Sequence, residues 1–217
     1  MNLLWTSSGF NRKLNCYRYF AVLAIFLLFP VLTNADTIPD RKNNKLLYTF
    51  LPDYYKLQYA GGIGFLSAGV GYGFFNERID ISYFYGYVPD WVSKNDLHSV
   101  SLQLTGKPFR LNLNNKTEYY PLNIGIFLHH TFGNEYYITL PDYYPEDYYW
   151  WYPGRTGGLF LEGQYNYQFR DSDKVFSQIG FYYRIVTRGV YLTSKISNTS
   201  IPLEDIFSLG LGIIIYK

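Results

Sequence analysis

The 217-residue chain is 48% apolar and only 17% charged, with a formal net charge of +2. That length holds one domain plus a targeting segment, not two sizeable cores, and so balanced a charge excludes an electrostatic nucleic-acid binder. Aromatic residues make up 21% of the chain, 25 Tyr and 17 Phe among them, against 1 Cys and 1 Met; Cys16 and Met1 both fall in an expected leader, so disulfides, thiol nucleophiles and Cys-ligated metals are excluded from the remainder.

The leader is read from residues 1–35. Arg12, Lys13 and Arg18 occur there without an acid, and the apolar run from Phe20 to Leu32 is followed by Thr33-Asn34-Ala35. A basic stretch, a short apolar run and a small residue before the cut make a secretory signal peptide, with cleavage expected after Ala35. An uncleaved membrane anchor is the alternative, but the run is interrupted by Pro30 and falls short of the ~20 apolar residues that span a bilayer. Cleavage removes three of 19 basic residues and none of 17 acidic ones, leaving 16 against 17. Residues 36–53, polar and containing two Pro, form a short N-terminal segment expected in the periplasm.

From Tyr54 to the end no helical period is evident, and alternation of apolar with small or polar residues recurs. Strands are expected at about 54–63 and 66–75, with Leu57, Tyr59, Val70, Tyr72 and Phe74 on one face and Lys56, Gln58 and several Gly on the other. In 78–88, Ile79, Ile81, Tyr83, Tyr85 and Tyr87 oppose Arg78, Asp80, Ser82 and Gly86. Val100, Leu102 and Leu104 then alternate with Ser99, Ser101, Gln103 and Thr105, and Leu122, Ile124, Ile126 and Leu128 with Asn123, Gly125 and His129. Further strands set Leu159, Leu161, Tyr165 and Tyr167 against Glu162, Gln164 and Asn166, and Ile179, Phe181, Tyr183 and Ile185 against Gln178, Gly180, Arg184 and Arg188. The last sets Phe207, Leu209, Leu211, Ile213 and Ile215 against Ser208, Gly210 and Gly212.

That makes eight strands, several long enough for a tilted membrane strand of ~9–11 residues. The apolar face concentrates Tyr toward strand ends and Ile and Leu toward the middle, the pattern of a lipid band between aromatic girdles. The fold expected is therefore all-β, an eight-stranded antiparallel transmembrane β-barrel over 54–217, polar inside and apolar outside. Turns are expected at Asn76-Glu77, near Asn114-Asn115 and at 170–174, and on the other side loops at 64–66, 89–96, 133–158 and 189–203. Lys107-Pro108 interrupts its strand and is expected to force a bulge.

The whole of 54–217 resembles a small eight-stranded bacterial outer-membrane β-barrel protein. Such barrels commonly end in an alternating strand with a final aromatic that the assembly machinery reads. Here Leu209, Leu211, Ile213 and Ile215 keep the spacing, while the final position is Lys217 with Tyr216 beside it. The resemblance implies the bacterial outer membrane as location, and its lipid, lipopolysaccharide and the barrel assembly machinery as partners.

Three groups of residues are candidates for function. Glu162 and Arg184 are expected to face each other across adjacent strands if the 170–174 turn centres near Asp173; with Arg78, Asp80 and Lys56 they would form a lumen charge network, read either as a salt-bridged plug or as a gate. His129 is expected to point inward, near Ser99, Thr131 and Glu162, with His98 and His130 outward at the rim. His129 and His130 are the candidates for lipid A chemistry, which needs a hydroxyl nucleophile and a carboxylate behind the histidine. The loop 134–158 carries Tyr143, Tyr144, Tyr148, Tyr149, Trp150 and Trp151 among acids and Pro, a candidate contact surface for a glycan or protein ligand or for the lipopolysaccharide headgroups. The sequons at Asn115 and Asn198 carry weight only if the chain is a secreted eukaryotic sandwich. No metal or cofactor site is expected. The leading expectation is a non-enzymatic barrel with a structural or surface-contact role; the alternatives are a lipid A-modifying enzyme and a small gated channel or transporter.

Overall fold

The computed structural model describes residues 51–133, 136, 154–169 and 176–217. The expected leader, most of the 36–53 segment and the 170–174 turn lie outside the described residues. Among the described residues there are nine strands: β1 (Tyr54–Ala60), β2 (Leu66–Phe74), β3 (Ile79–Val88), β4 (Leu97–Gly106), β5 (Leu111–Asn114), β6 (Thr117–Phe132), β7 (Arg155–Gln168), β8 (Gln178–Arg188) and β9 (Ser208–Tyr216). Each consecutive wall strand pairs antiparallel with the next, β1 pairs with β9, and β4 pairs with β6, which closes a barrel of eight strands. The ninth strand, β5, pairs with β6 alone and prolongs the wall at the end where β1 begins and β9 finishes.

The alternation in sequence becomes an inverted partition in space. Side chains of one parity project into the lumen, where Lys56, Gln58, Asp80, Ser101, Gln103, Thr105, Asn123, Glu162, Gln164 and Arg184 are all buried. Those of the other parity make a continuous outer belt in which Leu102, Ile126, Leu128 and Leu209 are 49%, 53%, 65% and 71% exposed. Aromatic clusters flank this belt at both ends. Tyr59, Phe65 and Trp91 make successive edge-on contacts at 5.0 and 4.9 Å at the loop-bearing end, and Tyr119 stacks on Tyr165 at 4.1 Å toward the end where β1 begins. Among the described residues no helix is long and apolar enough to cross a membrane.

An eight-stranded barrel leaves a lumen just wide enough for side chains, and here large rings fit because glycines lie directly across from them. Tyr54 opposes Gly71, Phe84 opposes Gly69, Phe160 opposes Gly125, and Tyr182 opposes Gly212. In each pair a Cβ on the glycine would overlap the facing ring. On the outer face Tyr183 lies over Gly163 in the same way.

The strand ends differ from the sequence reading in ways the backbone explains. β1 stops at Ala60 rather than near 63, because Ala60, Gly61 and Gly62 have φ of 57°, 73° and 79° and turn the chain inward over the barrel mouth. Ile63 is thereby 3% exposed, and its carbonyl accepts a 2.6 Å hydrogen bond from the Ser99 hydroxyl. The Lys107-Pro108 interruption does not merely bulge one strand: it divides it into β4 and β5, and β5 returns through the Asn115-Lys116 turn into a 16-residue β6. A second irregularity falls between Tyr120 and Asn123, where Pro121 has no N–H to give the ladder. The loops contain short helices that no period announced: α1 (Asp90–Ser93), α2 (Gly189–Ser197) and α3 (Leu203–Ile206). Elements of one or two turns are too short to print a 3.6-residue repeat.

The β2–β3 turn holds three successive non-glycine residues in the left-handed region, Phe75, Asn76 and Glu77, at φ 53°, 57° and 62°. Asn tolerates this conformation, while Glu does so at a cost of about 1 kcal/mol. Replacing Glu77 by Gly should therefore stabilise the barrel by about that amount, read as a higher urea midpoint after refolding in detergent. The lost Glu77–Arg110 contact, at 3.8 Å between half-exposed side chains, subtracts little. An unchanged or lowered midpoint would show that the turn is not strained.

Candidate functional site

The lumen is organised in tiers along the barrel axis. Its centre is Glu162, which β7 places directly across from Arg184 on β8, the register a turn centred near Asp173 requires. Arg184 donates to Glu162 Oε2 through Nε at 3.0 Å and also through Nη2, while Nη1 donates to Gln103 Oε1 at 3.0 Å. Oε1 of the same carboxylate receives Lys56 Nζ from β1 and Asn123 Nδ2 from β6, both at 3.4 Å. The guanidinium also lies over Phe160 at 4.5 Å and Tyr182 at 5.0 Å, so its faces meet rings rather than water. Arg184, Glu162 and Lys56 are each no more than 2% exposed.

Toward the end where β1 begins and β9 finishes, a second tier pairs Asp80 with Lys107 at 2.5 Å, both buried. Lys107 sits among Tyr54, Tyr120 and Tyr216, donating to the Tyr216 hydroxyl at 3.4 Å. Gln164 donates to that hydroxyl at 2.8 Å. The sequence reading gave Asp80 a neighbour in Arg78, and this is corrected: β3 begins at Ile79, and Arg78 closes the turn with its side chain exposed. Its carbonyl instead accepts the Lys107 N–H at 2.8 Å, which seats Lys107 as the cation that meets Asp80. Below, Glu118 gathers Arg110, the Tyr120 hydroxyl at 3.1 Å and Gln168 at 2.9 Å.

Toward the loops Phe84, Phe127, Phe160 and Val186 form a buried apolar layer above the central charges. Over it stands a cavity of about 360 Å³, lined in part by Ser99, His129, Thr131 and Arg188. His129 points inward as expected, but the triad sketched around it is not assembled. Its Nε2 meets Thr131 Oγ1 at 3.1 Å, and Ser99 gives its proton to the Ile63 carbonyl. Glu162 lies well down the barrel from it: β6 brings Asn123, six residues before His129, to the Glu162 pair. No carboxylate among the described residues therefore orients the ring as a hydrolase needs.

His98 and His130 face outward on adjacent strands, offset diagonally, since Val100 pairs with His130 and His98 with Phe132. His130 donates through Nδ1 to the Gly154 carbonyl at 2.6 Å and meets Phe132 edge-on, while His98 Nδ1 lies 2.5 Å from the Tyr85 hydroxyl. Both rings are held by these contacts outside the lumen. Tyr143, Tyr144, Tyr148, Tyr149, Trp150 and Trp151 lie outside the described residues. Among the described residues no group of His, Asp and Glu could hold a metal ion. No protein-family model matches the chain, and no curated protein matches it either.

Besides Glu118, one more buried charged residue of the lumen escaped the sequence reading, Lys107. Its signal was parity, because it continues the inward series of Ser99, Ser101, Gln103 and Thr105 by one more step.

Proposed function

We propose that the protein is a non-enzymatic bacterial outer-membrane barrel, inserted as a closed wall that holds the aromatic-rich connection between β6 and β7 at the cell surface for a structural or contact role; residues 155–158, expected in that loop, belong instead to β7. The observation that carries this reading is the inverted partition: an unbroken apolar belt outside and a hydrogen-bonded charge network inside. In lipid every backbone polar group must be paired internally, and a closed antiparallel barrel satisfies that demand with no free edge. The start of β1, the end of β9 and the short Asn76-Glu77 and Asn115-Lys116 turns then face the periplasm, and the helix-bearing connections face outward. Lipopolysaccharide, the assembly machinery and a glycan or protein ligand of the loop are the partners this placement implies.

The tiers of Arg184, Glu162 and Lys56 and of Lys107 and Asp80 argue against the channel, because they fill the lumen and each charge in them is paired. The lipid A enzyme is disfavoured by the unassembled set around His129. The test begins with refolding in detergent: unboiled protein should migrate differently from boiled protein and insert into lipid vesicles, and planar bilayers should show no conductance steps. Deleting 136–152 should leave the heat-dependent shift intact while removing contact with ligand or cell. Solubility in plain buffer with no heat-dependent shift would sink the membrane reading. Regular conductance steps would sink the closed-wall reading.

A further inference from the structure

We propose that the cavity at the loop-bearing mouth of the barrel is a binding site for a small monocarboxylate with an apolar tail. Its volume, about 360 Å³, lies in the range of small-molecule pockets. The site is built by the inward turn after β1, which brings Ile63 against Val88 and Leu97 and leaves an apolar wall. His129 and Thr131, on β6 beside the β4 strand that carries Leu97, and Arg188 at the end of β8 also line it.

The polar groups specify the charge of the occupant. Arg188 is the only charged side chain among the described residues that line the cavity, and no carboxylate among the described residues pairs with it. One of its N–H groups is used on the Gly62 carbonyl at 2.9 Å, which anchors the guanidinium at the pocket wall. A guanidinium has five donors, so others remain for a ligand oxygen. His129 supplies the second observation. It is 4% exposed, and its Nδ1 has no hydrogen-bond partner, although buried polar atoms normally have one. In the tautomer that accepts the Thr131 hydroxyl proton on Nε2, 3.1 Å away, Nδ1 carries the ring proton and is a free donor, and it is this tautomer that a carboxylate selects. A carboxylate accepts from both groups, one oxygen on the Arg188 guanidinium and one on His129 Nδ1, and its tail covers Ile63, Val88 and Leu97. A neutral alcohol of the same length could satisfy only part of this set, and a cationic amphiphile would meet Arg188 unfavourably.

This inference does not rest on the membrane reading, because the cavity belongs to the barrel mouth whatever surrounds the wall. The test is titration of the full chain, refolded in maltoside micelles, with hexanoate and separately with hexanol, followed by isothermal calorimetry. Hexanoate should bind saturably at one site and hexanol about ten-fold more weakly, the scale of one charge-assisted hydrogen bond. Arg188→Gln should weaken hexanoate to the level of hexanol while keeping the heat-dependent gel shift, and Arg110→Gln, at the other end of the barrel, should leave it unchanged. If Arg188→Gln does not fold, His129→Leu carries the same comparison, with hexanoate weakened and hexanol unaffected. The proposal is overturned by absence of saturable hexanoate binding, by equal affinity for acid and alcohol, or by folded variants at Arg188 and His129 that bind as the parent does.

Discussion

Glu162→Gln is expected to have the largest effect of any single substitution in the barrel. The carboxylate is 2% exposed and is shared by two buried cations, Arg184 on Oε2 and Lys56 on Oε1, with Asn123 completing the set. An amide of the same shape keeps the volume but removes the charge both cations depend on. Removing one partner of a buried ion pair costs about 3–5 kcal/mol, because the charge left behind has neither water nor a counterion. The interaction itself contributes far less than this, since bringing three charged groups into the lumen carries its own desolvation cost. Two experiments separate these quantities. Urea unfolding in lipid vesicles should place Glu162→Gln several kcal/mol below the parent, within the range just given, whereas Arg110→Gln, which trims a half-exposed cation and leaves the buried Glu118 carboxylate the Tyr120 hydroxyl and Gln168, should cost clearly less. The triple change of Glu162, Arg184 and Lys56 to Leu, Leu and Met should recover most of the loss, as apolar replacement of a whole buried set commonly does. A Glu162→Gln barrel as stable as the parent would mean that water reaches Arg184 and Lys56, and the closed-lumen reading would fall with it.

How much of this was legible in sequence follows from what alternation can encode. Period-2 patterning fixes which side of the wall a residue occupies, so Lys56, Asp80, Glu162 and Arg184 could be assigned to the lumen before any coordinate. Across one hairpin, the turn centre also fixes height, which is why Glu162 and Arg184 could be set opposite each other. Between strands that do not follow one another, height depends on the stagger of the closed sheet, and no local signal carries it. Thus Lys56 on β1 meets Glu162 on β7 across the lumen, a contact parity permits but cannot locate. Lys107 is hidden for a different reason: Pro108 beside it reads as a break, which closes the inward series at Thr105, one inward position early. Arg78 was the converse error, a residue of correct parity that lies one step outside its strand, where the turn takes over. Around His129 the sequence placed Ser99 and Thr131 on the right face but could not show that Ser99 spends its proton on the Ile63 carbonyl. That carbonyl arrives only because Ala60, Gly61 and Gly62 fold the first turn inward.

Gly125→Ala should have the second-largest effect, although it adds a single methyl to a strand position where Ala is no worse than Gly by propensity. Gly125 lies directly across from Phe160, and a Cβ there would fall within the ring. The ring cannot yield easily, because it also carries the Arg184 guanidinium at 4.5 Å and packs with Phe127 and Val186 in the layer above the central charges. Overpacking of this kind costs about 1–3 kcal/mol. Gly106→Ala is the control, since a Cβ at that position meets only the Ile124 carbonyl oxygen at 3.7 Å, an ordinary contact; its urea midpoint should stay near that of the parent. The decisive variant is the double change Gly125→Ala with Phe160→Leu. If the pair acts as a ring and its slot, the two substitutions should be less damaging together than the sum of their separate effects, with a coupling of about 1 kcal/mol or more. Additive losses would mean that Gly125 is required for something other than the ring. The distinction reaches the cavity above, because Phe160 and its layer separate the charge tier from the mouth. A barrel that tolerates a displaced Phe160 would have to seal Arg184 from the loop-end cavity by some other contact, and the described residues offer only Phe84, Phe127 and Val186 for that task.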